Sequence, residues 1–304
     1  MDLYLPIANL SVNALVIIAL GLGVGLLSGM FGVGGGFLTT PLLIFYGIPP
    51  TVAAASAASQ VTGASVSGML AHSRRKGVDY HIGGVMVAGG VLGSLIGAWL
   101  FEVLRATGLI DTVIAILYVL MLGSIGGLML KESVDSIRVT KGHRPAPARR
   151  RRHHPLIAAL PMRWRFYRSG LYISPLAPLI LGVLTGILTM LLGVGGGFIL
   201  IPAMLYLLGM STQVVVGTSL FQIVFTTAAA TMVHATTTKA VDIVLAVLLL
   251  LGSVAGAQIG SRLAQKMRPE YLRLALALLV LIVAIRMGLG LAWRPGELYS
   301  VEAA

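Results

Sequence analysis

Two stretches of the chain combine consecutive glycines with an aromatic ring and a proline: Gly32-Val33-Gly34-Gly35-Gly36-Phe37 with Pro41, and Gly193-Val194-Gly195-Gly196-Gly197-Phe198 with Pro202. A glycine inside a helix costs roughly 1 kcal/mol relative to Ala, and a run of three allows backbone angles that other residues resist. The proline one turn on removes an amide donor as well. A helix broken in this way exposes N–H groups with the positive end of the next helix behind them. Each stretch therefore predicts an anion site that needs no buried Arg or Lys.

Polar side chains near the breaks are the candidate selectivity groups: Ser56, Ser59 and Gln60 in one half, Thr218, Ser219 and Gln222 in the other. Spacing by three and four puts the first three on one helical face. The same groups can instead bond a neighbouring helix. His72 and His234 stand at matched positions near segment ends; they can relay protons that couple transport to a gradient, or meet lipid headgroups. Asp79 and Asp242 precede apolar segments and read as N-caps. Arg286 lies well inside the last segment, where it can snorkel or add counter-charge to an anion path.

Other chemistries find no support. A dinucleotide loop requires a glycine three positions after Gly34 and an acidic residue on a second strand, and neither is present. There is no Ser-His-Asp arrangement, His-Glu-x-x-His motif or paired intramembrane carboxylate, and no cysteine, so the chain reads as a non-enzyme without cofactor or metal.

The elements that must position these groups are membrane helices. No Asp, Glu, Lys or Arg occurs between Asp2 and Arg74 or from Ser169 to Thr238, as expected where a central charge costs roughly 2.5 to 3.5 kcal/mol. Apolar segments fall at about 12–30, 36–48, 51–72, 82–103, 110–130, 176–192, 197–209, 212–235, 241–261 and 271–292. The first is a retained span and not a cleaved signal. Segments 36–48 and 197–209 are short of the roughly 20 residues of a full span, so they read as halves of re-entrant hairpins or broken helices. With 57% hydrophobic residues and 38 glycines, the helices must pack closely. Gly89, Gly93 and Gly97, like Gly252, Gly256 and Gly260, mark one tightly packed face each.

The chain is duplicated. At an offset of 161, Gly32 and Pro41 match Gly193 and Pro202; at 162, Gly47, Ser56, Gln60 and His72 match Gly209, Thr218, Gln222 and His234. At 163, Asp79, Gly89, Gly93 and Gly97 match Asp242, Gly252, Gly256 and Gly260. This divides the chain into a first repeat (1–130), a basic cytoplasmic linker (131–175) and a second repeat (176–304).

Although the net charge is +12, eleven of the 22 basic residues lie between Lys131 and Arg168, which suits a positive-inside anchor near anionic headgroups better than nucleic acid. Trp164, Phe166 and Tyr167, interleaved with Arg163, Arg165 and Arg168, suit a segment lying on the membrane. Eighteen of the basic residues come to one side if the loop at Arg74, the linker and the stretch from Arg262 to Arg273 are all cytoplasmic. The loop after His72 is then inside while its counterpart after His234 is outside, and the halves are inverted. The expected fold is all-α: a polytopic transmembrane helix bundle of two inverted repeats, with both termini outside.

The duplicated Gly-x-Gly-Gly-Gly with its following proline, together with Gly217-Thr218-Ser219, resembles the TauE/SafE family of sulfite and organosulfur anion exporters. The resemblance covers residues 12–130 and 176–292, leaving out the linker. It implies export of small sulfur-containing anions such as sulfite, sulfoacetate or sulfolactate, and the duplicated breaks lead to the expectation of an inner-membrane permease working by alternating access. The first half has Ala55-Ser56-Ala57 where the second has Gly-Thr-Ser, one hydroxyl in place of two. A passive anion channel and an importer of the same substrates are the alternatives. The partners expected are a small anion, membrane lipids at the linker, and protons as coupling ions.

Overall fold

A computed structural model describes residues 2–31, 35–74, 77–140, 164–264 and 269–292. Ten α-helices and two β-hairpins are formed among them. The first half runs β1 (Asp2–Leu5), β2 (Leu10–Asn13), α1 (Ala14–Phe31), α2 (Gly36–Phe45), α3 (Pro50–Arg74), α4 (Tyr80–Ala106) and α5 (Ile110–Thr140). The second repeats that order: β3 (Trp164–Phe166), β4 (Leu171–Ile173), α6 (Leu176–Leu192), α7 (Gly197–Tyr206), α8 (Thr212–Val233, continued by a π-turn at His234–Thr238), α9 (Ile243–Ala264) and α10 (Pro269–Ala292). The ten helices fall on the ten apolar segments, and α2 and α7 have the half-span length expected of them.

Five helices are long and apolar enough to cross a membrane. α3 is as long, but its Ala, Ser and Thr content makes it less apolar. It is shielded by other helices: Ala53 to Ala58 and Val61 are buried, and its neighbours are α8, α9 and α2.

Packing follows the duplication. The main pairs are α1 with α9 and α6 with α4, α3 with α9 and α8 with α4, then α3 with α8 and α5 with α10. Each pair maps onto another, or onto itself, when the halves are exchanged, the pattern of a two-fold relation. The evenly spaced glycines make the closest contacts. A Cβ on Gly93 would sit 2.1 Å from the Val183 carbonyl oxygen, and one on Gly256 2.1 Å from that of Leu22. Backbones touch at these two seams, where small residues permit dispersion contacts that larger ones would block. Gly21 and Gly25 meet Leu249 and Ser253, so α1 and α9 run parallel.

Two features escape the sequence reading. First, α5 continues to Thr140, into the span read as linker. Second, each half opens with a two-stranded hairpin. Hairpin β1–β2 packs with Ile17, Leu43, Ile48, Val52 and Leu245, whereas β3–β4 packs with Ile82, Met86, Leu181, Met204 and Val215. Val52 lies in the first turn of α3 and Ile82 follows its far end at Arg74, which is about 33 Å from Val52 along the helix. The hairpins thus close opposite ends of the bundle. Phe166, read as part of a membrane-surface segment, is buried in this second hairpin while Trp164 and Tyr167 stay exposed.

The aspartates join hairpins, caps and halves. Asp79 Oδ1 accepts from the N–H groups of His81 (3.1 Å) and Ile82 (3.3 Å) to cap α4, while Oδ2 accepts from the Ser169 N–H (3.0 Å) in the β3–β4 turn. Its own N–H donates to Thr218 Oγ1 at 2.9 Å. In the other half, Asp242 Oδ1 accepts from Leu245 N–H, Oδ2 accepts from Ile7 N–H in the β1–β2 turn, and its N–H donates to Ser56 Oγ, all at 3.2 Å.

Candidate functional site

The second break lies between α6 and α7. Gly193 ends α6 at φ +70° and donates to Thr189 O at 2.8 Å; Gly195 and Gly196 follow at φ +71° and +75°. Three left-handed residues within four are what the glycine run permits, since a Cβ resists this region. Among the described residues, no acceptor is bonded to the N–H groups of Val194, Gly195, Gly196, Gly197 or Phe198. All five residues are buried. Unbonded buried amides at a helix start are costly alone and suited to an anion.

The first break is described from Gly35 onward; Gly32 and Gly34 lie outside the described residues. Gly35 caps α2 in a right-handed conformation, φ −53°, and accepts from the Leu38 N–H at 3.3 Å. The two breaks meet. A Cβ on Gly36 would lie 2.7 Å from Gly193 O and 3.0 Å from Val194 O, so only hydrogen fits between them. The next residues, Phe37 and Phe198, stack at the junction with ring centroids 4.5 Å apart and planes 4° from parallel. Val61 touches both breaks, its two methyls facing Gly36 and Gly195.

Both glutamines are buried and incompletely bonded. Gln60 Oε1 accepts from Thr39 Oγ1 (2.9 Å), and Thr39 also lies 3.1 Å from Gly35 O, so Gln60 is one hydroxyl away from the first break. Its Nε2 has no partner among the described residues. Gln222 Nε2 donates to Thr226 Oγ1 (2.7 Å) and Thr185 Oγ1 (3.4 Å), and Thr185 packs against Gly196. Among the described residues, Gln222 Oε1 has no partner either. Natural interiors rarely leave such groups unpaired, which marks both as places where a polar ligand gains from binding.

The remaining predicted residues are engaged elsewhere. Ser56 and Thr218 hold the aspartate caps, and Ser219 bonds Val216 O at 2.9 Å within its own helix. Ser59 bridges Ala55 O (3.3 Å) and Thr231 Oγ1 (3.4 Å) at the α3–α8 seam. His234 is buried at the α8 terminus; Nε2 lies 2.9 Å from Met190 O and Nδ1 3.0 Å from Thr238 Oγ1. His72 is in the last turn of α3, and its side chain lies outside the described residues.

Sequence reasoning missed the hydroxyls that fix the second break. Thr40 Oγ1 (3.1 Å) and the Tyr118 hydroxyl both donate to Leu192 O, the last carbonyl of α6. Thr39 and Thr40 sit between the glycines and Pro41, a position that could have drawn notice. Tyr118 is one aromatic in an apolar span and gave no signal.

Comparison with known proteins agrees with this architecture. The family model "Sulfite exporter TauE/SafE" matches residues 17–287. The chain is similar to the Probable membrane transporter protein YjnA of Bacillus subtilis, 28% identical over 274 residues that cover 89% of this chain and 98% of that protein. It is also similar to the Probable membrane transporter protein YunE of the same organism, 26% identical over 281 residues (90% and 96% covered), and to a Probable membrane transporter protein of Xylella fastidiosa, 26% identical over 276 residues (89% and 94%). No solved structure matches the chain.

Proposed function

The chain belongs to the sulfite exporter TauE/SafE family, a family of multi-pass membrane transport proteins, and from that premise we propose that it is a secondary transporter exporting sulfite or small organosulfonates across the inner membrane by alternating access. The observation that carries this reading is the meeting of the two glycine breaks, with five amides at the second that have no partner among the described residues and with Gln60, whose Nε2 is likewise unpartnered there, joined to the first through the Thr39 hydroxyl. The anion docks on these amides without a buried cation and Gln60 Nε2 donates to its oxygens, while Gln222, whose N–H groups go to Thr226 and Thr185, accepts at Oε1 from a substrate hydroxyl. The halves are inverted repeats, the basic linker lies in the cytoplasm against anionic headgroups, and rocking of one half against the other opens the buried junction to each side in turn. A membrane potential negative inside favours exit by about 2.3 kcal/mol per charge per 100 mV. His72 and His234 are the candidate proton relay.

The test is a liposome flux panel of sulfite, sulfonates and carboxylates, with and without a pH gradient. Saturable sulfite or sulfonate flux, competed by its analogues, is the expected outcome. Unitary currents through the purified protein would replace the carrier with a channel, and indifference to every sulfur anion would end the substrate assignment.

A further inference from the structure

Away from the breaks, two crevices open between α5 and α10, and they exchange when the halves exchange. One, of about 700 Å³, lies between the ends of α2 and α10 and the start of α5, lined by Ile44, Phe45, Ala115, Ile282, Arg286 and Leu289. The other, of about 420 Å³, lies between α7, the later part of α5 and the start of α10, with Pro202, Tyr206, Leu276 and Glu132 on its walls. Phe45 and Tyr206 occupy matched positions, 161 residues apart. The charged group differs in sign: a guanidinium in the first crevice, a carboxylate in the second.

Arg286 stands over the Phe45 ring, 4.9 Å from its centroid, and no carboxylate pairs with it among the described residues. It is six residues before the end of α10, roughly 9 Å by helical rise, a depth from which a long side chain reaches the headgroup layer. Ile282, Ile285 and Leu289 are exposed alongside it. In a bilayer a crevice with such a wall is filled by acyl chains, and an unpaired cation at its rim draws a phosphate.

We propose that the Arg286 crevice holds an anionic phospholipid, with its phosphate on the guanidinium and one acyl chain along Ile282, Ile285 and Leu289. The Glu132 crevice is the built-in contrast, because its carboxylate repels the same headgroup. This inference is independent of the transported substrate.

Full-length protein, purified and stripped of lipid, is titrated with phosphatidylglycerol and with phosphatidylcholine, and retention is read by native mass spectrometry. Wild type is expected to hold one phosphatidylglycerol roughly fivefold more tightly than phosphatidylcholine, the worth of one basic residue facing an anionic lipid surface. Arg286→Gln is expected to erase the preference. Leu289→Trp keeps the charge but fills the crevice, so it is expected to weaken retention, while Glu132→Gln leaves it intact. The proposal is overturned if wild type holds both lipids alike, if Arg286→Gln keeps the preference, if Leu289→Trp retains phosphatidylglycerol as wild type does, or if inorganic phosphate occupies the site and the lipid does not.

Discussion

The two breaks share a six-residue signature and a proline, yet at the matched pair Gly35 and Gly196 their backbones differ. In the second, Gly193, Gly195 and Gly196 all adopt positive φ; in the first, Gly35 is right-handed and simply starts α2. Their supports differ too. Thr40 and Tyr118 of the first half both bond the Leu192 carbonyl at the second break. The reverse bond from Thr40's counterpart is impossible, because Ile201 stands at that position and has no hydroxyl. Duplication preserved what breaks the helix and lost the symmetry of what anchors the break. The halves are therefore alike in topology and unequal in how the described part of each break is anchored.

The strongest way to break that contrast is a methyl group at each site. Gly193→Ala places a Cβ 2.1 Å from the Ala54 carbonyl oxygen at φ +70°, two penalties with no flexible neighbour to yield. Loss of folded protein from detergent extracts, or of all flux, is expected. Gly35→Ala meets the Val24 and Ser28 side chains at 2.8 and 3.4 Å and the Val24 carbonyl oxygen at an ordinary 3.5 Å, in a backbone region Ala favours. It is expected to retain folding and measurable flux. Equal damage from both would remove the claimed difference in anchoring.

The glutamines give a smaller contrast. Gln60→Leu deletes an uncommitted donor at the proposed anion site, so a loss of roughly tenfold in apparent substrate affinity is expected, with membrane content unchanged. Gln222 spends its amide N–H groups on Thr226 and Thr185, so Gln222→Leu is expected to weaken flux less and thermal stability more. Competition assays and melting curves on both variants separate the effects. Wild-type flux in Gln60→Leu would remove the side chain from the site.

How much of this was readable in advance follows from what repeats. The ten helices, the half-length of α2 and α7, the glycine seams and the aspartate caps were legible because each depends on local residue types at fixed spacing. The β-hairpins were not. Residues 2–5 and 10–13 are short and surrounded by apolar sequence, and their pairing is held by Asp242 from 235 residues away at Ile7. Ser56 and Thr218 were placed near the breaks because they are polar in an apolar helix; the same property serves their bonds to Asp242 and Asp79, and only tertiary placement distinguishes the two roles. Tyr118 was invisible because its partner is a backbone carbonyl, and carbonyls leave no trace in sequence.

That hydroxyl tests the anchoring itself. Tyr118→Phe removes one of two donors to Leu192 O and leaves Thr40, so a loss of about 1 kcal/mol in unfolding stability is expected. Thr40→Val should cost a similar amount. The double variant should exceed the sum of the two, because it leaves the buried carbonyl with no side-chain donor. Strict additivity would mean that the pair does not act jointly on the second break.

The caps provide the control, since there the halves do match. Asp79 and Asp242 each receive a helix N–H on Oδ1 and a hairpin N–H on Oδ2, and each donates its own N–H to a hydroxyl of the opposite half. Replacing the carboxylate by an amide keeps the cap acceptor but weakens the second bond, which is charge-assisted. Asp79→Asn and Asp242→Asn should therefore each lower stability by about 1 kcal/mol, the two values agreeing within roughly 0.5 kcal/mol. Two geometric differences favour Asp79, whose Oδ1 accepts from two helix N–H groups and whose Oδ2 also accepts the Ser169 hydroxyl, so any excess should appear on that side. A larger loss at Asp242 would show that the inequality between the halves extends beyond the breaks to the ends of the bundle.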